Sequence, residues 1–169
     1  YNMKHFFFTS VLGLLTLILA SCNSKDDEFV DLGLSVKWAT CNVGTNFINK
    51  YGAYYYFGEA LKLENDRGRL PTKEEFQELI DNCTWLSIEE NGVYGKKVTS
   101  KKNGNSIFLP LGGGRYEQGI DGVRSFGTYY SSSVYDEYKT YYLYTSNETK
   151  VDYDSRHGRS VRLVQDVKK

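Results

Sequence analysis

The segment from Pro71 to Cys83 carries the most complete helix pattern in the chain, and it limits the fold more than any other feature. Thr72 is a good N-cap residue, and Glu75 three positions later completes a capping box. The apolar residues then recur at helical spacing: Phe76, Leu79, Ile80 and Cys83. The pattern predicts one amphipathic helix from about Lys73 to Asn82.

The rest of the folded region reads mainly as short strands. Extended runs are predicted at 36–40, 54–57, 96–100, 106–109, 128–133, 140–145 and 160–164. Asn103-Gly104 is a strong hairpin signal, and residues 110–122 form a glycine-rich loop in which Gly112 to Gly114 call for positive φ. Strands on both sides of one or two helices predict an α+β domain with a mostly antiparallel sheet.

The start of the chain has the pattern of a secretory signal peptide. Lys4 follows the expected initiator Met3, and an apolar run of 14 residues extends from Phe6 to Leu19. A membrane-spanning helix needs roughly 20 apolar residues, so a permanent transmembrane helix is the weaker interpretation. We expect residues 1–21 to be a signal peptide, residues 22–29 a flexible acidic tether, and residues 30–169 a single domain.

The end of this segment, Leu19-Ala20-Ser21-Cys22, resembles the lipobox of bacterial lipoproteins. The resemblance implies cleavage before Cys22 and acylation of its thiol, which attaches the protein to a membrane. The acidic residues that follow are similar to the signal that exports lipoproteins to the outer face of the outer membrane. The alternatives are an ordinary signal peptide with a chance cysteine and a plain tether on a periplasm-facing lipoprotein.

Charge and cysteine content exclude several classes of function. The 21 basic and 21 acidic residues give no basic excess for nucleic acid. Cys41 and Cys83 could form a disulfide in an oxidising compartment or remain buried thiols, and the sequence leaves both open. After residue 21 the only histidine is His157, so a structural zinc site lacks ligands, and we expect no metal and no cofactor.

Four ordered segments carry a resemblance to a known family: 30–44 (VDLGLSVKWATCNVG), 68–85 (GRLPTKEEFQELIDNCTW), 104–115 (GNSIFLPLGGGR), and 129–133 (YYSSS) with 158–164 (GRSVRLV). Together they resemble the Fibrobacter succinogenes major paralogous domain family. The resemblance implies a C-type lectin-like fold of the formylglycine-generating-enzyme superfamily, with both termini close together on one sheet.

The same resemblance argues against the activities known in that superfamily. Formylglycine-generating enzymes hold copper with a cysteine pair near the end of the domain, whereas no cysteine follows Cys83 here. Calcium-dependent lectins carry a proline in their sugar-binding loop, but Pro71 and Pro110 stand in other contexts. Ser131 to Ser133 have no convincing histidine partner, and nothing places Asp152 and Asp154 as an acid and a base. We therefore expect a protein that is not an enzyme.

The most suggestive stretch lies between Tyr129 and His157, where eight of the 15 tyrosines fall by residue 153. In some members of the resembling family this region forms an exposed binding face. We expect Tyr142 and Tyr144 to pack across the sheet, and loops at 134–138 and 152–157 to bind a glycan or protein ligand. The expected ligand-binding residues are Tyr135, Asp136, Tyr138, Tyr153, Asp154, Arg156 and His157. The alternatives are a structural envelope or assembly subunit without a small ligand, and an unrecognised enzyme.

Overall fold

The computed structural model describes residues 29–65, 68–155 and 157–167. Two α-helices lie in this part of the chain, α1 (Phe57–Ala60) and α2 (Lys73–Asn82), and a short 3-10 helix (Leu61–Leu63) follows α1. The strands are β1 (Phe29–Asp31), β2 (Val36–Ala39), β3 (Cys83–Glu90), β4 (Val93–Ser100), β5 (Ser106–Pro110), β6 (Gly114–Tyr116), β7 (Gly119–Asp121), β8 (Gly127–Val134), β9 (Lys139–Thr145), β10 (Thr149–Ser155) and β11 (Val164–Asp166). This is the α+β architecture that the sequence predicts.

The strands form small antiparallel sheets. Their orders are β1-β2-β11, β3-β4-β5 and β10-β9-β8, and β6 and β7 form a separate hairpin. In the first sheet both Val30 and Val164 lie opposite Trp38, so the first and last strands flank β2. The ends of the described domain therefore meet on one sheet, as expected from the family resemblance.

Helix α2 begins and ends where the sequence predicts. The Thr72 hydroxyl accepts a hydrogen bond from the Glu75 amide (3.2 Å), and the Glu75 carboxylate accepts one from the Thr72 amide (2.8 Å). Such a cap stabilises a helix by about 1 kcal/mol. Phe76 and Leu79 are fully buried, and α2 packs against β8, β9 and β10. Its polar first turn stays at the surface beside the end of that sheet.

The main core lies between α2 and the sheets. Trp38 and Phe76 are in ring contact at 5.5 Å between centroids. The buried core residues are Leu32, Leu34, Val36, Trp38, Phe76, Leu79, Cys83, Val98, Ile107, Leu109, Tyr129, Leu143 and Val164. A smaller cluster joins α1 to β8 and contains Phe57, Ala60, Leu70, Tyr130 and Val161. Because both cores include residues of β8, this strand is fixed on its two faces.

The predicted strand at 54–57 is wrong. Tyr55 makes only an isolated bridge with Arg159, and Phe57 begins α1. The Glu59 carboxylate accepts a hydrogen bond from the Tyr56 amide at 2.9 Å, and Phe57 packs against Tyr130. The local helix start and the burial of Phe57 outweigh the β propensity of the aromatic run.

Two other segments differ from the expected pattern. The glycine-rich loop at 110–122 contains the β6–β7 hairpin, and only Gly113 of its glycine triplet has positive φ (69°). A Cβ at Gly113 would lie 1.9 Å from the Asp121 carbonyl oxygen, so only glycine fits there. The strand expected at 160–164 is shifted, because β11 begins at Val164 and Ser160 makes an isolated bridge with Tyr129.

The possible disulfide between Cys41 and Cys83 does not form. Cys83 is a free thiol at the start of β3 and belongs to the main core, whereas Cys41 lies in the turn after β2. Burial raises the pKa of the Cys83 thiol, which keeps it protonated and unreactive. The expected signal peptide and Cys22 lie outside the described residues, as does the expected tether up to residue 28. Phe29 already belongs to β1.

Candidate functional site

Three tyrosine rings from three strand regions meet at one end of the β10-β9-β8 sheet. Tyr135 follows β8, Tyr141 lies in β9 and Tyr153 lies in β10, where it is opposite Tyr141. The rings of Tyr135 and Tyr153 are parallel, with centroids 3.8 Å apart and an interplanar angle of 5°. The Tyr141 ring makes T-shaped contacts with both rings, at centroid distances of 5.7 and 5.9 Å. We call these three residues the tyrosine platform.

The turn between β8 and β9 positions Tyr135 over Tyr153. One carboxylate oxygen of Asp136 accepts hydrogen bonds from the amides of Tyr138 and Lys139, each at 2.8 Å. The Tyr135 amide also donates to the Lys139 carbonyl oxygen at 3.1 Å. Before the turn, the pairing of β8 with β9 shifts register between Tyr130 and Val134. The irregular strand end and the Asp136 turn together fold Tyr135 back over the sheet.

The platform remains open to solvent even though its rings touch. Tyr135 is 47% exposed and Tyr153 is 42% exposed, whereas Tyr141 is half-buried. A contact between aromatic rings contributes about 0.5–1.5 kcal/mol, so the ring contacts help the Asp136 turn to hold the stack. An exposed group of contacting aromatic rings is a feature of binding surfaces.

Two lysines approach the same rings. The Lys73 ammonium lies 4.6 Å from the centroid of Tyr141, and that of Lys139 lies 5.7 Å from the centroid of Tyr153. Lys73 is the first residue of α2, and its amide donates to the Ser133 hydroxyl at 3.1 Å. This bond ties the start of α2 to the end of β8. Helix and sheet therefore supply one cation each to the tyrosine platform.

The Tyr135 phenol of the platform stays protonated at neutral pH. The pKa of Tyr135 is raised above its ordinary value of 10.0, first because its hydroxyl interacts with that of Tyr153. The Lys139 ammonium acts in the opposite direction and lowers the pKa of the Tyr135 hydroxyl. Lys139 is therefore close enough to influence the hydroxyl edge of the platform. The phenols offer hydrogen-bond donors and acceptors beside an apolar face.

The structure brings together only part of the expected binding set. Tyr135 and Tyr153 form the stack described above. Tyr138 lies in the neighbouring turn and is 72% exposed, and a hydrogen bond with Glu137 raises its pKa. The carboxylate of Asp136 holds the turn by accepting two backbone hydrogen bonds.

The remaining expected residues lie elsewhere. Asp154 neighbours Tyr153 in β10, and successive strand residues point to opposite faces, so its side chain lies away from the platform. The imidazole of His157 contacts Tyr116 at 4.9 Å between centroids, in a separate group. Arg156 lies outside the described residues. The loop expected at 152–157 is wrong as far as Ser155, because β10 continues to that residue through its register with β9.

Sequence reasoning missed Tyr141, Lys73 and Lys139 as members of the site. The alternation of Lys139, Tyr141 and Leu143 along β9 was readable, and it places these side chains on one face of the sheet. Lys73 carried no such signal, because its contact with Tyr141 depends on how α2 packs against the sheet.

On the opposite face of the same sheet, a cation and a tyrosine ring are buried together. The guanidinium of Arg159 lies 3.7 Å from the ring centroid of Tyr142, and these residues are 2% and 8% exposed. Tyr144 stacks on Phe126 at 5.8 Å. The expected packing roles of Tyr142 and Tyr144 are confirmed. Burial raises the pKa of Tyr142, so its phenol is neutral in the fold.

The polar groups that could suggest catalysis have structural partners. Ser131 Oγ accepts a hydrogen bond from the Ser133 amide, and Ser132 Oγ donates to the Pro71 carbonyl oxygen. Asp152 pairs with Lys150 at 2.8 Å, and this hydrogen bond lowers the pKa of Asp152. These contacts fix the ends of β8 and β10.

Two further features of the described residues concern metal binding and membrane crossing. Across this part of the chain, no group of three or more histidine, cysteine, aspartate or glutamate side chains is placed to hold a metal ion. No helix among the same residues has the length and apolar character needed to cross a membrane. Comparison with known proteins gives no match to a family model, a curated protein or a solved structure.

Proposed function

We propose that this chain is a non-enzymatic, surface-exposed lipoprotein whose domain binds a glycan through the tyrosine platform. The observation that carries the proposal is the exposed stack of Tyr135 and Tyr153 with Tyr141 at its edge. Aromatic faces pack against the apolar faces of sugar rings, and the phenol hydroxyls and nearby ammonium groups supply polar contacts.

The anchor in this proposal is Cys22. Its support is the lipobox-like Leu19-Ala20-Ser21-Cys22 at the end of the apolar run, followed by acidic residues. The protein would attach to the outer membrane through its N-terminal lipid and face the cell exterior. Mass spectrometry of the membrane-extracted protein should find acyl chains on Cys22. A Cys22→Ala variant should lose them and leave the membrane fraction, and unchanged fractionation would contradict the anchor.

The C-type lectin-like fold and the resembling family remain part of the proposal. Their support is the way in which the resembling segments meet. Buried Arg162 of the last segment donates to the Asn42 side chain (2.9 Å) and the Ala39 carbonyl (2.8 Å) of the first segment. It also donates to the Phe108 carbonyl of the third (2.9 Å).

The other resembling segments join the same arrangement. The Ser132 amide donates to the Pro71 carbonyl oxygen at 2.8 Å, which connects the segments at 129–133 and 68–85. Burial lowers the pKa of Arg162 to about 10, so its guanidinium is still protonated at neutral pH and keeps its donors. Four segments far apart in sequence thus join through a few polar contacts, of which those of Arg162 are buried, and this supports their treatment as one family signature.

The direct test is a glycan array probed with the whole protein in detergent. We expect a restricted set of bound glycans, and at least a tenfold loss of affinity for Tyr135→Ala and Tyr153→Ala. Tyr94→Ala is the matched control, because Tyr94 is an exposed tyrosine on β4 in a different sheet. Unchanged binding in both platform variants would overturn the site.

The same preparation distinguishes the alternatives. One outcome is that the protein binds no glycan and instead captures one defined protein, with a capture that is lost in the platform variants. That outcome would make the ligand a protein instead of a glycan. Loss of envelope integrity on deletion, with neither kind of ligand, would favour a structural envelope or assembly subunit.

A further inference from the structure

The cations beside the tyrosine platform limit the chemistry of its ligand. Lys73 and Lys139 belong to different elements, yet each ammonium lies within 6 Å of a platform ring centroid. An ammonium has three donors, and a cation–π contact uses none of them as a conventional hydrogen bond. Both lysines thus retain hydrogen-bonding capacity beside the rings.

The nearby carboxylates do not neutralise this pair strongly. In the described ranges, no carboxylate oxygen lies within ion-pair distance of the Lys139 ammonium. Lys73 has one such neighbour, Glu74, at the long distance of 3.7 Å, and both side chains are well exposed. An exposed ion pair of this kind contributes little and yields readily to a better partner.

The acidic residues of the adjoining turn are held by other contacts. The Asp136 carboxylate accepts two backbone hydrogen bonds within the turn, and Glu137 interacts with the hydroxyl of Tyr138. Asp154 occupies the opposite face of β10. The face that carries the rings therefore presents two cations, whereas the carboxylates around it are engaged or directed elsewhere.

We infer that the tyrosine platform selects an acidic carbohydrate, in which a sugar ring packs on the tyrosines and its carboxylate or sulfate group binds Lys73 and Lys139. This inference rests on the proposed function and names the ligand class for the same site. A neutral glycan would use the rings but leave both ammonium groups without an anionic partner. Each exposed ion pair adds roughly threefold in affinity, so two together give an acidic sugar a preference of about tenfold.

The test compares one saccharide in two forms. The array should be dominated by carboxylated or sulfated glycans, and the strongest carboxylated member is then chemically reduced at its carboxyl groups to give a neutral counterpart. We expect the acidic form to bind about tenfold more tightly at low ionic strength. The difference should largely disappear at about 0.5 M salt, where the Debye length is only a few ångströms.

Lysine variants locate the effect within the site. Lys73→Gln and Lys139→Gln should each weaken binding of the acidic form several-fold and weaken binding of the neutral form clearly less. Lys150→Gln is the control, since this exposed lysine pairs with Asp152 on the other face of β10. Thermal melting should be similar for all three variants, because every substituted side chain is at least partly exposed.

The possible outcomes separate the two proposals. Equal affinity for the acidic and reduced saccharides, or equal losses for both in the lysine variants, would overturn the acidic preference while glycan binding stands. An array dominated by neutral glycans would do the same. Binding to no glycan of either kind would overturn both the ligand class and the proposed function.

Discussion

Both faces of the β8–β10 sheet carry a cationic side chain over a tyrosine ring. The contact is buried on one face and open to solvent on the other. On one face the Arg159 guanidinium covers Tyr142 at 3.7 Å, and both side chains are buried. On the other face lysines approach the half-buried ring of Tyr141 at 4.6 Å and the exposed ring of Tyr153 at 5.7 Å. A cation over a tyrosine is therefore not itself a sign of function. What distinguishes a site from a packing contact here is whether the ring and the cation remain accessible.

Truncation of the buried Tyr142 ring should have the largest effect on stability. A small effect would contradict the distinction between the buried and the open face. We expect Tyr142→Ala to lower the free energy of unfolding by about 3 kcal/mol, because it leaves a cavity and removes the ring that covers Arg159. Arg159 already has a buried Nε without a hydrogen-bond partner in the described part of the chain. Urea denaturation monitored by circular dichroism measures the change.

The exposed ring supplies the matched control. Tyr153→Ala should cost about 1 kcal/mol or less, since it loses ring contacts but little buried surface. Equal losses for Tyr142→Ala and Tyr153→Ala would show that the platform is a packing cluster like the opposite face.

A second prediction concerns the buried phenol of Tyr129 at alkaline pH. Burial raises the pKa of Tyr129 to about 12, from an ordinary value of 10.0. Its stabilising contribution is therefore complete below pH 10 and is lost as the pH rises towards 12. The loss amounts to about 1.4 kcal/mol per pH unit, or roughly 2–3 kcal/mol in total.

Tyr129→Phe isolates this contribution. Between pH 10 and 12 the wild type should lose stability relative to the variant, and the difference between the two proteins removes the effects of titrating groups that do not interact with Tyr129. Denaturant unfolding at several pH values provides the measurement. Parallel pH profiles for the two proteins would contradict the assigned pKa.

The sequence predicted the elements that depend on local signals. Helix α2 follows from Thr72, Glu75 and its apolar spacing, all of which act within the segment itself. Strand β10 was missed because Lys150, Asp152 and Asp154 make it resemble a loop, although Val151 and Tyr153 alternate with them as an edge strand requires. Charge content concealed a period-two pattern that was present in the sequence.

The candidate site was predictable only in part, for a tertiary reason. The tyrosine-rich stretch correctly indicated Tyr135 and Tyr153 as exposed rings, but their contact depends on the turn that Asp136 closes. The expected neighbour Asp154 was separated from Tyr153 by the alternation of the strand. The cation from Lys73 came from a helix more than sixty residues earlier in the chain, which no local pattern connects with the sheet.

A similarly small effect on stability is predicted for the turn between β8 and β9, which places Tyr135 over Tyr153. We expect Asp136→Ala to lower the free energy of unfolding by only about 1 kcal/mol, because it removes two hydrogen bonds to the amides of Tyr138 and Lys139 at the surface. The Tyr135 ring should nevertheless leave Tyr153, since the turn no longer folds it back. Ring-current shifts of the tyrosine resonances in NMR spectra would report the separation, and glycan affinity should fall with it.

The conservative replacement provides the control for that turn. Asp136→Asn keeps the accepting side-chain oxygen and should retain the stack, although it removes a negative charge from the neighbourhood of Lys139. If the acidic-glycan preference holds, this variant should bind slightly more tightly than the wild type, whereas Asp136→Ala binds less. Loss of the stack in both variants would mean that charge, rather than turn geometry, holds Tyr135 over Tyr153. Retention of the stack in both would show that the aromatic contact alone is sufficient.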